Sequence, residues 1–157
     1  LLGKVPLPQQ NVFPMAAELG PEAAAAAYAP LVEAALPFDL VLLGMGEDGH
    51  TASLFPGQVI PEGALVMPVH DAPKPPADRV SLTPMALTAA REVLILVTGV
   101  GKREALAAWR KGADLPVAKI ARAGRTVVLL DRAAAGALGP DDLPPGPAAV
   151  EPCSRVR

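Results

Sequence analysis

Cysteine, aromatic residues and excess charge are all scarce in this chain of 157 residues. Its one cysteine, Cys153, cannot form an internal disulfide, which fits a reducing compartment and predicts a cytoplasmic protein. The net charge is −2 and no basic run occurs, so neither nucleic acid nor a membrane surface is an expected partner. The apolar stretches contain Pro or Gly or are too short to cross a bilayer, and the first residues lack the pattern of a secretory signal.

Metal-binding side chains are equally scarce. The two histidines, His50 and His70, have no cysteine near them in the sequence, so no ligand cluster is formed. We therefore expect neither a metal site nor a cofactor. His70 lies in a stretch with three prolines and is expected to be an ordinary loop residue.

Apolar runs and alanine-rich segments alternate along the chain. They predict strands at 39–43, 65–69, 92–97 and 126–130, an extended piece at 80–82, and helices at 21–35, 84–90, 103–111, 116–121 and 133–138. Consecutive apolar positions are typical of strands covered on both faces of a parallel sheet. The sequence thus predicts a single α/β domain over residues 1–136, with a mostly parallel sheet between helices, and a flexible tail at 137–157.

The most informative segment follows the first of these strands. Gly44, Gly46 and Gly49 match the GxGxxG dinucleotide fingerprint, but Pro56 ends any helix too early for that fold. The same loop places an acid, a histidine and a hydroxyl within four residues, at Asp48, His50 and Thr51. A short helix is expected to begin near Thr51, and its N-terminus would favour an anion. The alternative is that the glycines only permit a tight turn in which His50 packs or caps.

A second strand, at 92–97, leads directly into the turn 99–102. Ligands of parallel sheets bind at the carboxyl ends of the strands. The loops 44–50 and 99–102 are therefore expected at the same edge of the sheet.

The segment Gly44–Pro56, GMGEDGHTASLFP, closely resembles the signature of the 6-phosphogluconolactonase family. Further segments agree in order and spacing, namely Asn11–Phe13, Pro73–Pro76, Arg79–Thr83 and Val93–Lys102, so that the resemblance covers about residues 1–131. It implies a Rossmann-like, three-layer α/β fold. Glucosamine-6-phosphate deaminases belong to the same superfamily, but they carry a carboxylate after the histidine loop, where this chain has Ala52–Pro56.

The resemblance also implies a missing part. Family members begin with a strand and a Gly-Gly-Ser phosphate loop and later carry an arginine-bearing segment, and this chain has none of these. It looks like the C-terminal two-thirds of such an enzyme. We therefore expect N-terminal strands to be absent from the sheet and the chain alone to be weakly active or inactive.

The function that the resemblance implies is hydrolysis of 6-phospho-D-glucono-1,5-lactone to 6-phosphogluconate, in the oxidative pentose phosphate pathway. His50 would be the general base and Asp48 would orient it. The substrate and its phosphate would be bound by the turn and by cations, namely Gly44, Gly46, Gly49, Thr51, Lys74 and Arg79. Lys102 is a weaker candidate. The alternatives are an amino-sugar-phosphate deaminase and a non-catalytic sugar-phosphate sensor. The sequence does not determine the oligomeric state.

Overall fold

The computed structural model describes residues 4–122 and 125–136, and the predicted tail at 137–157 lies outside them. The helices are α1 (Pro21–Ala35), α2 (Pro84–Thr88), α3 (Arg103–Arg110), α4 (Pro116–Arg122) and α5 (Arg132–Ala135). The strands are β1 (Phe38–Gly44), β2 (Val66–Val69), β3 (Arg79–Leu82), β4 (Ala90–Val97) and β5 (Thr126–Leu130). Within the described ranges, no helix combines the length and apolar character needed to cross a membrane.

Three of these strands form a parallel sheet in the order β1-β4-β5. The register places Leu42 beside Leu94, and Leu96 beside Leu129. Because β1 and β4 are parallel neighbours, the loops that follow them lie at the same edge of the sheet. The α/β class, the parallel sheet and the shared edge of the two loops are therefore confirmed.

The two faces of this sheet have different surroundings. Alternate residues on one face are buried against α2, α3 and α4: Val41, Leu43, Val93, Ile95 and Val97. Each such burial contributes about 1.5–3 kcal/mol. On the other face Leu40 and Leu42 are 54% and 56% exposed, and Leu96 and Leu129 are exposed as well. The described residues thus cover one face, and the expected second helical layer is not seen among them.

A smaller antiparallel sheet carries the proline-rich loop. Strands β2 and β3 pair with Val66 opposite Leu82 and Val69 opposite Arg79, and the loop 70–78 joins them. Helix α1 packs on this hairpin through Ala25 and Val32. The two extended segments were predicted, but their mutual pairing was not.

The helix expected near Thr51 does not form. The chain turns instead, and the amide of Leu54 donates to the carbonyl oxygen of Thr51 at 2.9 Å. Ala52 lies between them at φ 49°, in the left-handed region, which a right-handed helix cannot include. This part of the sequence prediction was wrong.

Helix α2 begins as the sequence predicted. The Thr83 hydroxyl accepts a hydrogen bond from the Ala86 amide at 3.4 Å, and Pro84 occupies the first helical position. The helix ends at Thr88, two residues before the predicted end, because Ala90 already belongs to β4.

Candidate active site

The glycine-rich loop (residues 44–50) brings an acid and a histidine into direct contact. The Nδ1 atom of His50 lies 2.6 Å from Oδ1 of Asp48, and the His50 backbone amide donates to the same oxygen at 3.1 Å. An aspartate on Nδ1 fixes the tautomer of the ring and leaves Nε2 as the proton acceptor. The loop thus holds the His50 ring against the Asp48 carboxylate, and the role of His50 as a base stays a prediction.

The Asp48 carboxylate is electrostatically suited to this contact. Partial burial acts to raise its pKa, but hydrogen bonds from the backbone and the ring of His50 together outweigh burial. The pKa of Asp48 is therefore lowered, and the carboxylate is ionised at neutral pH. An ionised Asp48 can accept hydrogen bonds from both the ring and the backbone amide of His50.

Gly46 provides the space for this pair. A Cβ atom at Gly46 would lie 2.0 Å from Nδ1 of His50 and 2.8 Å from Oδ1 of Asp48. No side chain fits there while the acid and the histidine keep their contact. The glycine is needed for close approach rather than for an unusual backbone angle.

Several amide and hydroxyl groups that the sequence analysis had assigned to substrate binding form hydrogen bonds within the turn itself. The Gly46 amide donates to the His50 carbonyl at 2.8 Å, and the Gly49 amide donates to the Gly46 carbonyl at 3.2 Å. The Thr51 hydroxyl donates to the carbonyl of Gly44 at 2.8 Å, and Thr51 is 1% exposed. This geometry gives the three glycines and Thr51 structural roles and does not support Thr51 as a phosphate contact.

A neighbouring segment supports the far side of the loop. Gly49 has φ +80°, and a Cβ atom there would lie 2.7 Å from a methyl carbon of Leu115. The carbonyl oxygen of Gly49 accepts a hydrogen bond from Val117 at the start of α4. The glycine-rich loop is therefore also fixed by the segment that leads into α4.

Phe55 connects the histidine to the cationic side of the site, and the sequence analysis had not singled it out. Its ring centroid is 4.8 Å from that of His50 and 5.6 Å from the guanidinium carbon of Arg79. An aromatic ring between an imidazole and a guanidinium limits the movement of both. The signal that could have identified Phe55 is its place five residues after the histidine in the signature.

The proline-rich loop (residues 70–78) is organised by Arg79. Its Nε donates to the carbonyl of Pro76 at 2.9 Å, and its Nη2 donates to the carbonyl of Lys74. Two of the guanidinium donors therefore bind the loop. Arg79 is placed to position Lys74, whereas sequence reasoning had assigned both cations to the phosphate.

Lys74 reaches across to the glycine-rich loop. Its Nζ lies 3.0 Å from Oε2 of Glu47, and both side chains are more than half exposed. The hydrogen bond and charge of Lys74, with the charge of Lys102, lower the pKa of Glu47. The charge of Lys102, the third cation of the sequence analysis, thus acts on the same carboxylate.

His70 is more than a plain loop residue. Its Nδ1 lies 2.9 Å from Oδ1 of Asp78, and its Nε2 lies 2.8 Å from Oε1 of Glu22 in the first turn of α1. The hydrogen bond to Asp78, and then the contact with Glu22, raise its pKa. His70 therefore joins both ends of the proline-rich loop to α1.

The site lies open at the surface. A groove of about 430 Å³ runs along β1, and another of about 210 Å³ lies beside Phe55. Neither groove is lined by Asp48, His50 or Lys74, so the larger one marks the uncovered side of β1 rather than the acid–histidine pair. In the described part of the chain no group of three or more acidic, histidine or cysteine side chains is arranged to hold a metal.

The fold and this geometry define a class of protein: an α/β domain with an acid-oriented histidine at the carboxyl edge of a parallel sheet, facing a cationic loop. The family model described as glucosamine-6-phosphate isomerases/6-phosphogluconolactonase matches residues 1–129. The chain belongs to this family.

Individual relatives agree with the family model. A 6-phosphogluconolactonase of Streptomyces coelicolor is 45% identical over 94% of this chain and 64% of its own length. That of Mycobacterium tuberculosis is 43% identical over 88% of this chain and 63% of its own. The crystal structure of the Thermotoga maritima 6-phosphogluconolactonase superposes with a TM-score of 0.74 at 33% identity, covering 83% of this chain and 60% of that one. The chain thus spans just under two thirds of the length of these relatives.

Proposed function

We propose that the site hydrolyses 6-phospho-D-glucono-1,5-lactone to 6-phosphogluconate, a step of the oxidative pentose phosphate pathway, in the cytoplasm. The observation that carries this proposal is the 2.6 Å contact between Asp48 and His50, at the edge where a parallel sheet binds its ligands. The names of the relatives supply the substrate class. The partner is a small phosphorylated lactone.

The chemistry follows from the oriented imidazole. Nε2 of His50 takes a proton from a water molecule while the water oxygen bonds to the lactone carbonyl carbon. The ring C–O bond then breaks, and the ring oxygen takes up the proton as a hydroxyl. Asp48 holds the ring through Nδ1 and stabilises the imidazolium. A positioned base of this kind contributes about 10²–10⁴-fold to the rate.

The cations of the proline-rich loop suit the remote phosphate. Lys74 donates charge-assisted hydrogen bonds, which are about twice as strong as neutral ones. Arg79 holds the loop backbone at Lys74 and Pro76, and so acts as a positioning residue. Lys102 adds a second positive charge at the same edge, since its charge acts on the carboxylate that Lys74 binds.

The alternative activity in this family is deamination of an amino-sugar phosphate. Residues Ala52–Pro56 contain no carboxylate after the histidine. Ser53 is buried, and its backbone amide donates a hydrogen bond to the Ser81 hydroxyl. Lactone hydrolysis is therefore favoured. Release of ammonia from glucosamine 6-phosphate would instead favour the deaminase.

The decisive experiment measures lactone hydrolysis by the complete gene product above the spontaneous rate, with freshly generated substrate. His50→Gln should lower kcat about 10²–10⁴-fold and leave KM nearly unchanged, because only the base is lost. His70→Gln is the matched control for kcat, since the second histidine lies outside the acid–histidine pair. Equal loss in both variants would remove His50 from its role, and tight 6-phosphogluconate binding without any turnover would indicate a sensor.

A further inference from the structure

Glu47 occupies a position that the proposed reaction does not explain. It lies between Gly46 and Asp48 in the sequence, and its side chain contacts Lys74 rather than the acid–histidine pair. Its Oε2 atom is 3.0 Å from the Lys74 Nζ, across 27 residues of sequence. Its Oε1 atom lies 3.0 Å from where a Cβ atom on Gly101 would be, so the carboxylate also borders the turn after β4.

Three loops therefore meet at one carboxylate. The glycine-rich loop supplies Glu47, the proline-rich loop supplies Lys74, and the turn 99–102 supplies Lys102, whose charge acts on Glu47. Two cations near one anion also suit a phosphate monoester, which forms strong charge-assisted hydrogen bonds. A phosphate bound by Lys74 would therefore meet the Glu47 carboxylate.

We propose that the Glu47 carboxylate is an internal competitor for the phosphate group, which binds Lys74 until a substrate phosphate displaces it. This inference rests on the proposed function in assigning Lys74 to the phosphate. It goes further in making Glu47 a determinant of specificity. A neutral lactone has no group that can take over Lys74, whereas a phosphate monoester has.

The strength of the pair allows such an exchange. The side chains of Glu47 and Lys74 are 60% and 73% exposed, and ion pairs this exposed to water contribute little to stability. A phosphate carries a charge of about −1.5 to −2 and three acceptor oxygens near neutral pH. It can therefore replace one carboxylate on Lys74 and engage Lys102 as well. The lowered pKa of Glu47 agrees with a carboxylate that remains a charged competitor throughout the neutral range.

The competing explanation gives Glu47 a helpful role. A carboxylate that pre-orients Lys74 would improve phosphate binding, and its loss would weaken it. The two explanations predict opposite signs for the same substitution. A measurement of affinity therefore separates them.

The experiment measures the Kd of 6-phosphogluconate and of inorganic phosphate by titration calorimetry. Glu47→Gln should lower both Kd values about three- to tenfold, because it removes the competitor and its repulsion of the phosphate. Glu33→Gln, which makes the same charge change near the C-terminal end of α1, should leave both values unaltered. The gain should disappear when Glu47→Gln is combined with Lys74→Met.

Two results would overturn the proposal, and they differ. If Lys74→Met raises Kd but Glu47→Gln leaves it unchanged or raises it, Glu47 is not a competitor and the assignment of Lys74 to the phosphate stands. If Lys74→Met has no effect on Kd, the phosphate assignment itself fails, and this inference fails with it.

Discussion

The glycine-rich loop and the proline-rich loop face each other across the site but are held in opposite ways. The first is fixed by its own backbone hydrogen bonds and by Thr51, which is 1% exposed. The second is held by side-chain contacts, chiefly those of the half-buried Arg79 and the exposed His70. Proton transfer needs distances fixed within about an ångström, whereas charge attraction tolerates movement. The comparison therefore predicts kcat effects from the residues that hold His50 in the first loop and KM effects from the second loop.

The largest effect after loss of the base itself is expected from Gly46→Ala. The new Cβ atom would lie 2.0 Å from Nδ1 of His50, so the imidazole must move away from Asp48. We expect kcat to fall about a hundredfold, since a misplacement of 1 Å is enough for such a loss. Lactone kinetics measure the effect, and the ring proton shifts of His50 in NMR spectra report the displacement.

Gly44→Ala provides the comparison for this prediction. A Cβ atom at Gly44 would meet only the Leu96 carbonyl oxygen at 4.0 Å, which is an ordinary contact. Its loss of kcat should be far smaller than that of Gly46→Ala. Similar losses in the two variants would show that the loop needs glycine for a reason other than space for His50.

The proline-rich loop should respond in KM. Lys74→Met removes the cation assigned to the phosphate, and a charged hydrogen bond contributes about 1.5–3 kcal/mol. We expect KM for the phosphorylated lactone to rise about 10- to 100-fold with kcat nearly unchanged. The same variant should hardly affect an unphosphorylated lactone, and Lys111→Met, an exposed lysine after α3, is the charge-matched control. Equal effects on both lactones would contradict phosphate recognition by Lys74.

Arg79→Lys should have a weaker effect of the same kind. Lysine keeps the charge but cannot bridge the carbonyls of Pro76 and Lys74 while stacking on Phe55. The proline-rich loop should loosen, and KM should rise about threefold, as expected for a lost exposed contact of about 0.6 kcal/mol. Kinetics with the phosphorylated lactone test this. A loss as large as that of Lys74→Met would mean that Arg79 binds the phosphate directly.

The sequence predicted more of the sheet than of its surroundings. The apolar runs located β1, β4 and β5, because a buried strand needs consecutive apolar residues. They also predicted that helices cover both faces of the sheet. Leu40 and Leu42 are nevertheless exposed, while Val41 between them is buried. Alternate residues point to opposite faces, so composition shows that a face can be buried but not what buries it.

At the site, the contacts that the sequence did not predict are those between residues far apart in the chain. Asp48 and His50 are two residues apart, so their contact was within reach of local reasoning. The contact of Lys74 with Glu47 joins residues 27 positions apart, which no local pattern specifies. The failed helix at Thr51 depended on the left-handed conformation of Ala52, a residue type with no preference for it.

The smallest effect concerns the pH dependence of stability. The ordinary pKa of His70 is 6.5, and its hydrogen bond to Asp78, with the contact to Glu22, raises it in the folded protein. A raised folded pKa stabilises the protein fully below the unfolded value and loses this contribution as pH rises through the folded value. His70→Asn should therefore be destabilised relative to the parent at pH 5.5 and nearly equal to it at pH 9, by denaturant unfolding. Asp78→Asn keeps the histidine but removes its main partner. It should therefore also be destabilised relative to the parent more at pH 5.5 than at pH 9. A deficit of His70→Asn that is equal at both pH values would show that His70 holds the proline-rich loop by packing rather than by charge.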